Sequence, residues 1–373
     1  MKRVLSLIVA LMLATSLSLA GCAAEEPVSE SEPAAASATV IDLAGREVIV
    51  PENVERVVAI GPGALRLVVY AGGAKMVAGI EDIENKPPIS RPYILAHPEL
   101  LELPVIGAGG PDTAPDAERL IGVAPDVIFV GQLADAAAAD ELQAATGIPV
   151  VVLSYGGLGN FDDAVVTSLN VVGTMIGTIE RTDEVSAYIT DTLADLSART
   201  AGIDDGEKPT AFVGALGFKG MHGLESTQGK YPPFVAIGAK NVAGDLGTPG
   251  SVMIDKEKLL EWDPEYLFVD CSGLGLVAED VAANRALYEG LSAVNDGCVY
   301  TQLPFNNYWT NIEVALADAY YAGSVMFPDR FADVDAVAKA DEISTFLAGA
   351  SVYERLTEIY GCGFGAIDLL GNE

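Results

Sequence analysis

The chain has 373 residues, half of them hydrophobic, and a formal net charge of −32 at pH 7. This length exceeds that of one average domain, and the apolar content is sufficient for two cores. The acidic balance argues against nucleic acid or anionic lipid as a partner and is typical of a soluble exported protein.

The first residues predict a processing signal. Lys2 and Arg3 precede an apolar run over residues 4–19, which is too short for a confident membrane span. The run leads directly into Leu19-Ala20-Gly21-Cys22, where small residues precede a cysteine. This tetrapeptide matches the bacterial lipobox.

A lipoprotein signal therefore defines the expected start of the mature chain. Residues 1–21 are predicted to be removed and Cys22 to carry lipid. Residues 22–39 are rich in Ala, Ser, Glu and Pro and predict a flexible tether. Two alternatives remain open, namely an ordinary secretory signal with a coincidental cysteine and a single anchor helix.

Residues 40–159 predict a first α/β lobe. Short apolar runs alternate with helical segments, a pattern typical of a parallel sheet covered on both faces. The expected elements are a hairpin over 40–50, strands at 57–60, 77–80, 105–107, 127–130 and 150–153, and helices after Ala64, around Glu118 and over 134–145. A Pro-rich loop with a short helix is expected over 86–101.

Residues 160–202 predict a helical connection. Apolar side chains recur at helical spacing from Val165 to Leu196, and no proline interrupts the segment. We therefore favour one long rod that joins two lobes, with two consecutive helices and a break near Arg181-Thr182 as the alternative.

Residues 203–373 predict a second α/β lobe. The expected elements are strands at 210–215, 266–269 and 298–300, and helices at 234–239, around Glu257, at 311–326 and at 334–346. A Gly-rich loop is expected over 244–250.

A pattern in the first lobe recurs in the second. In the first copy, Glu118-Arg119-Leu120-Ile121 leads to Pro125-Asp126 and then to a buried apolar run. In the second copy, Glu257-Lys258-Leu259-Leu260 leads to Pro264-Glu265 and then to another buried apolar run. The spacing from Glu to Pro is the same in both copies. Each copy predicts a short helix, a turn and a buried strand. Two such lobes in one chain predict a cleft between them. Although each glutamate could simply be a solvated helix residue, their equivalent positions favour a shared role.

Cysteines and histidines restrict the chemistry. With Cys22 assigned to lipid, Cys271, Cys298 and Cys362 remain, which predicts buried thiols or at most one disulfide within the second lobe. Only His97 and His222 are present, and no cluster has zinc-site spacing.

Catalytic motifs are missing as well. The sequence contains no hydrolase elbow, Walker loop or HExxH helix, and Gly61-Pro62-Gly63 lacks the third glycine of a dinucleotide fingerprint. We predict neither catalytic residues nor a protein metal site, and no intrinsic cofactor.

Candidate ligand contacts follow the predicted strands, because ligands of open α/β sheets bind outside the carboxyl ends of strands. Aromatic walls and forked arginine donors suit a bulky, partly aromatic, anionic or metal-chelating molecule. The candidates are Arg66, Arg91 and Tyr93 in the first lobe, expected to face His222, Glu225, Tyr231, Tyr308 and Trp309 in the second.

Each candidate also has a structural explanation. Arg66 could pair with a carboxylate and Tyr93 could cover its Pro-rich loop. His222 could be a satisfied loop histidine, Glu225 could cap a turn, and Trp309 could belong to the core.

The mature chain resembles the substrate-binding lipoproteins of ABC importers for iron–siderophore, haem and cobalamin. The resemblance runs from Val40 to the C-terminus. It depends on the lipobox, residues 42–46 with Val50-Pro51, Arg56-Val57-Val58, the helix after Gly61-Pro62-Gly63, the two Glu helices and the mid-chain rod.

The resemblance implies two Rossmann-like lobes with central parallel sheets, joined by a long helix, with the ligand between them. It implies capture and delivery without catalysis, and it implies that Glu118 and Glu257 dock onto arginines of a permease that works with an ATPase. The implied protein is an exported monomer, lipid-anchored to the outer face of the cytoplasmic membrane. Its implied cargo is an iron chelate, with haem or cobalamin as the alternative.

This sequence departs from the family pattern in two places. The first strand is followed by Gly-Pro-Gly-Ala instead of Ser or Thr, and the second lobe offers His222, Glu225 and aromatics instead of several arginines. Two other classes stay open at this point, a lipid-anchored metal-cofactor enzyme and an adhesion or signalling module.

Overall fold

The structure, a computed structural model, describes residues 38–110, 113–131, 135–156, 161–247 and 250–371. The predicted signal peptide, Cys22 and most of the predicted tether lie outside these residues. Within the described part of the chain, no helix is both long enough and apolar enough to cross a membrane.

The strands are short and mostly buried. In chain order they are β1 Thr39–Ile41, β2 Glu47–Ile49, β3 Val57–Ile60, β4 Val127–Gly131, β5 Val150–Leu153, β6 Thr210–Gly214, β7 Ser226–Thr227, β8 Lys240–Asn241, β9 Val252–Met253, β10 Tyr266–Asp270, β11 Val299–Gln302 and β12 Gly365–Ala366.

The α-helices alternate with these strands in both halves of the chain. They are α1 Ala64–Tyr70, α2 Pro92–Ala96, α3 Ala117–Gly122, α4 Ala136–Thr146, α5 Asp163–Ile176, α6 Ile179–Thr200, α7 Pro232–Ala236, α8 Lys256–Trp262, α9 Leu274–Ala283, α10 Arg285–Glu289, α11 Ser292–Asn295, α12 Ile312–Met326, α13 Ala336–Ala348 and α14 Tyr353–Tyr360.

The first lobe contains a parallel sheet in the order β3-β4-β5, and β1 pairs with β2 as the predicted hairpin. Every residue of β3, β4 and β5 is buried, because helices cover both faces of a parallel sheet. The strands expected at 77–80 and 105–107 do not form. Only the isolated bridges Val57 to Val77 and Ile80 to Val105 are present, and Pro104 has no N–H with which to extend a ladder.

The second lobe contains a sheet in the order β12-β11-β10-β6-β8. Its strands are parallel except for β12, which runs antiparallel to β11. A disulfide joins Cys271, next to β10, to Cys362, near β12, and leaves Cys298 as a free thiol. The prediction of at most one bridge, within the second lobe, is therefore confirmed.

The segment between the lobes is two helices instead of the single rod that we favoured. Helix α5 ends at Gly177 (φ 75°) and α6 begins at Ile179, so the break precedes Arg181-Thr182. A Cβ on Gly173 would lie 2.2 Å from Thr182 Oγ1, so glycine is required where the two helices cross. The long connecting helix is α6 alone, which packs on α7 and α12 while α5 packs on α1 and β1.

The two Glu helices occupy equivalent places in the lobes. Helix α3 precedes β4 and α8 precedes β10, and each of these strands is central in its sheet. The aspartate two residues before each glutamate caps its helix: Asp116 accepts from Arg119 N at 3.1 Å and Asp255 from Glu257 N at 3.0 Å.

The connection after each of these helices is also repeated. The residue before the proline is left-handed in both copies, with φ 46° at Ala124 and 41° at Asp263. The acid after the proline then accepts a hydrogen bond from a backbone N–H at the start of the neighbouring strand. Asp126 accepts from Arg56 N at 2.9 Å, and Glu265 accepts from Thr210 N at 2.7 Å. The internal repeat therefore extends to the conformation of the chain.

Candidate functional site

A cleft of about 600 Å³ opens at the carboxyl ends of the two sheets. Such a volume is in the range of small-molecule sites. Among the described residues that line it, Lys219 is the only charged one. These residues are Pro62 and Pro88 from the first lobe and Gly217, Phe218, Lys219, Gly220, Met221, Ser272, Pro304, Asn306, Asn307, Tyr308, Trp309 and Tyr360 from the second.

One wall of this cleft is a turn that we name the aromatic turn, residues 306–311, between β11 and α12. Asn306 pairs with Thr310, and between them Tyr308 and Trp309 are left-handed, with φ of 54° and 75°. Such backbone costs about 1–3 kcal/mol per bulky residue, so the surroundings must hold it. The Trp309 Nε1–H is buried and has no hydrogen-bond partner in the described residues, while the residue as a whole lines the cleft.

Arg66 of α1 holds the aromatic turn from the first lobe. Its side chain is fully buried; Nε donates to Asn311 Oδ1 at 3.0 Å and Nη1 to the Thr310 carbonyl at 2.8 Å. Nη2 donates to the carbonyls of Asn307, Tyr308 and Trp309 at 3.1, 3.3 and 3.4 Å. The guanidinium is therefore occupied by the turn and lies outside the lining of the cleft.

Tyr308 makes a second tie between the lobes. Its hydroxyl donates to Glu81 at 2.8 Å and accepts from the N–H of Gly110 at 3.0 Å. Glu81 also accepts from the N–H of Gly61, at 2.9 Å, and burial raises its pKa to about 7. The Gly-Pro-Gly turn at Gly61 thus supports the cleft through Glu81.

Glu84 interacts with the other two ligand contacts predicted in the first lobe, Arg91 and Tyr93. Arg91 forms a 2.5 Å ion pair with Glu84 and donates to Asn307 Oδ1 at 3.2 Å, while the Tyr93 hydroxyl donates to Glu84 at 2.8 Å. Burial raises the pKa of Glu84, and Arg91 opposes this shift. Arg91 and Tyr93 are both buried, and Arg91 supports the aromatic turn through Asn307.

The three predicted contacts in the loop after β6 also lie beside the cleft and not in its lining. His222 Nε2 is 2.8 Å from the carbonyl of Phe218, and Glu225 accepts from Gly223 N at 3.1 Å as a turn cap. Tyr231 is fully buried against Gln302, to which its hydroxyl is hydrogen-bonded. Of the eight predicted contacts, Tyr308 and Trp309 alone line the cleft.

Sequence reasoning missed the apolar residues that line the cleft in place of the other six predicted contacts. Phe218 and Met221 lie in a glycine-rich loop directly after β6 and are 40% and 67% exposed. Large apolar side chains in an exposed loop after a buried strand are a signal that could have identified both. Tyr360 comes from the end of α14, far along the chain, and has no comparable signal.

Glu118 and Glu257 are exposed, away from the cleft lining. The cation after each one is paired within its own helix, Arg119 with Asp116 at 3.2 Å and Lys258 with Glu261 at 2.8 Å. Neither glutamate has an ion-pair partner in the part of the chain that the structure describes. Both carboxylates therefore remain available to a partner.

Two α/β lobes connected by a long helix, with a cleft at the strand ends of both sheets, define a two-lobed solute-binding protein. The periplasmic binding protein family model matches residues 57–304, and the chain belongs to this family. Its members are solute-binding proteins of ABC transporters and not enzymes, so the enzyme alternative is excluded. Membership also implies an exported location and a partnership with a permease and an ATPase.

Individual proteins give the same result for the fold. The chain is 24% identical over 336 residues to the molybdate-binding protein MolA of Haemophilus influenzae, covering 82% of this chain and 90% of that protein. The solved structure of MolA bound to molybdate superposes with a TM-score of 0.65 at 18% identity, covering 84% of this chain and 98% of that one.

Two further solved structures share the fold. FepB of Veillonella parvula, described as a TroA-like periplasmic binding protein, gives a TM-score of 0.63 at 20% identity, covering 84% of this chain and 97% of that one. CeuE of Helicobacter pylori with Ni(II) bound gives 0.59 at 17% identity, covering 84% and 96%. Two lobes with central parallel sheets and a long connecting helix are confirmed.

Proposed function

We propose that the chain captures a bulky metal chelate in its cleft and delivers it to an ABC permease. The observation that carries this proposal is the cleft itself, with about 600 Å³ of mostly apolar and aromatic lining. Such walls suit a large ligand with flat or apolar faces. The fixed aromatic turn offers stacking surface at little entropic cost, because its conformation is already set by Arg66.

A siderophore-type iron chelate is our first candidate for the cargo. Catecholate rings can stack on Tyr308 and Trp309, and Lys219 places a positive charge in the lining near anionic chelate oxygens. Haem or cobalamin is the second candidate, favoured by a lining in which prolines and aromatics outnumber charges. No group of three or more His, Cys, Asp or Glu side chains is placed to hold a bare metal ion in the described chain, so we expect the metal to arrive already chelated.

Molybdate, the ligand in the name of the Haemophilus relative, is a less suitable candidate for this cleft. A small oxyanion requires several convergent hydrogen-bond donors. Here Arg66 and Arg91 are directed to the aromatic turn and to Glu84, away from the cleft lining. Molybdate is nevertheless included in the test.

Fluorescence titration of the purified mature chain tests the proposed cargo. Trp262→Phe leaves Trp309 as the only tryptophan, so that quenching reports on the cleft. The panel contains ferric catecholate and hydroxamate siderophores, haem, cobalamin and molybdate. Saturable quenching by an iron chelate at micromolar concentration or below is the expected result. Saturation by molybdate alone would replace the chelate with an oxyanion as the cargo.

We also propose that lipid on Cys22 anchors the mature chain to the outer face of the cytoplasmic membrane, and that Glu118 and Glu257 dock it onto the permease. The lipobox supports the anchor, and the paired exposed carboxylates support the docking. Cys22→Ala is expected to release the chain from the membrane fraction. Continued palmitate labelling of this variant would exclude the anchor.

A further inference from the structure

We propose that Ile121 and Leu260 form an apolar part of the surface that docks on the permease, one beside each glutamate. Ile121 is 47% exposed and Leu260 is 36% exposed, although each follows a leucine that is at most 1% exposed. Both lie three residues after Glu118 or Glu257, so each shares a helix face with its glutamate. This inference rests on the proposed docking role of the two glutamates.

The repetition of this arrangement is the main argument. An exposed aliphatic residue is ordinary on any protein surface. Here the same cap, exposed Glu, buried Leu and exposed aliphatic residue occur in the same order on α3 and α8, before the central strand of each sheet. Packing within the lobes explains the buried leucines. Leu260 also lies against Gly290, where an added Cβ would be 3.1 Å from its Cδ2, but the remaining surface of Leu260 and that of Ile121 stay exposed.

The chemistry of the occupant follows from the two side chains. A carboxylate without an ion-pair partner beside an aliphatic side chain fits a cation with apolar surface next to it, as on the outer face of a membrane permease. A second copy of the chain is a poor occupant, because a net charge of −32 makes copies repel one another. The lobes thus present two equivalent patches to one partner.

The apolar contacts have a measurable consequence. Attraction between exposed charges is screened within about 8–10 Å at physiological salt, whereas burial of aliphatic surface is not weakened by salt. We therefore expect docking to retain a salt-resistant component that depends on Ile121 and Leu260.

The test uses the cognate permease–ATPase complex reconstituted in nanodiscs and the full mature chain. Binding is measured by biolayer interferometry from 50 to 500 mM NaCl. The variants are Ile121→Gln with Leu260→Gln, and Glu118→Gln with Glu257→Gln. Val337→Gln with Ile359→Gln is the matched control, because these residues are 41% and 37% exposed and lie on other helices. Circular dichroism and a ligand titration check that each variant folds.

We expect the apolar pair to weaken docking about tenfold or more at every salt concentration, with an unchanged salt dependence. The glutamate pair should weaken docking and flatten the salt dependence, and the control should bind like wild type. If the apolar pair binds like wild type while the glutamate pair does not, this inference is overturned and the glutamate docking stands. If neither pair matters, the docking proposal also fails. Equal loss in the control, or wild-type dimerisation abolished by the apolar pair, would likewise overturn the inference.

Discussion

Arg66 is predicted to act on ligand binding through the aromatic turn. Arg66→Lys keeps the charge but cannot reach the Asn311 side chain and the turn carbonyls together, since lysine lacks the guanidinium fork. Buried carbonyls would lose their donors, so we expect a loss of about 2–4 kcal/mol in the free energy of unfolding. Urea denaturation measures this loss, with the exposed Arg330→Lys as the control.

The same variant separates positioning from direct contact. Because the guanidinium lies outside the lining of the cleft, affinity should fall by a similar factor for anionic and neutral ligands. Titration with one ligand of each kind tests this expectation. A selective loss for the anionic ligand would mean that Arg66 reaches the ligand after all.

Trp309 is predicted to contribute the largest single contact with the ligand. Trp309→Ala removes the indole from the wall of the cleft and should weaken binding by roughly 10- to 100-fold, or about 1–3 kcal/mol. Trp309→Phe keeps a smaller aromatic face, so it should retain an intermediate affinity. Isothermal titration calorimetry gives both values, and Trp262→Phe is the control. Unchanged affinity in a folded Trp309→Ala protein would place the ligand elsewhere.

Asp270 is predicted to make stability depend on pH. Burial raises its pKa from 3.8 to about 7, although Ser272 donates to its Oδ1. The folded chain therefore keeps a proton that the unfolded chain loses above pH 4. The stabilisation is complete below pH 4 and disappears as pH rises to about 7.

The expected change is a loss of about 1.4 kcal/mol in unfolding free energy per pH unit across this window, on the order of 4 kcal/mol in total. Asp270→Asn, which cannot ionise, should lack this contribution, while the contribution of Glu81, whose pKa burial also raises to about 7, remains in both proteins. Denaturant titrations of both proteins between pH 4.5 and 8 provide the comparison. If the difference in unfolding free energy between the wild type and Asp270→Asn does not vary with pH, the buried Asp270 is already ionised.

At the scale of single residues, the sequence locates strand ends well but not the direction of the side chains that follow them. Tyr308 and Trp309 were predicted because two aromatics flanked by asparagines form an unusual core segment. The burial of Arg66 and Arg91 could not be predicted, since it depends on carbonyls some 240 positions away for Arg66 and on Glu84 for Arg91. Left-handed Tyr308 and Trp309 have no local sequence signal, because tertiary contacts impose them.

At the scale of elements, the repeat was the most reliable pattern. Buried apolar runs gave β4 and β10, and the proline after each Glu helix gave the turn. The prediction of a single helical rod was wrong, because Gly177 ends α5 instead of only weakening the helix. The strand at 77–80 was wrong because an apolar run does not specify whether a neighbour can supply a ladder.

Charge reversal on the Glu helices is the prediction at this scale. Glu118→Arg with Glu257→Arg should leave ligand affinity unchanged but abolish import, because both residues lie outside the cleft lining. Each exposed contact is worth only about 1 kcal/mol, so single variants should be mild. Uptake of radiolabelled iron chelate by cells measures import, and Glu354→Arg with Glu358→Arg on α14 is the control. Normal import by the double variant would exclude docking through these carboxylates.

At the scale of the whole molecule, the lobes share one packed core. A single cluster of buried residues includes Leu67, Val185, Val213 and Ala315, which come from both lobes and the connecting helix α6. Arg66 and the pair of Tyr308 with Glu81 add hydrogen bonds across the same boundary. Sequence patterns predicted two lobes and a helical connection, but this continuity arises from contacts distant in sequence.

Ligand binding is therefore predicted to close the molecule only slightly. A hinge motion would have to break the buried Arg66 hydrogen bonds and open the shared core, whereas loops such as the one with Phe218 and Met221 can move without either cost. Small-angle scattering with and without a saturating ligand should show a change in radius of gyration on the order of 1 Å or less. A non-binding chelate serves as the control. A compaction of several ångströms would mean that the lobes separate in the free protein. In that case Arg66→Lys, which loosens the boundary between the lobes, should enlarge the change in radius of gyration further.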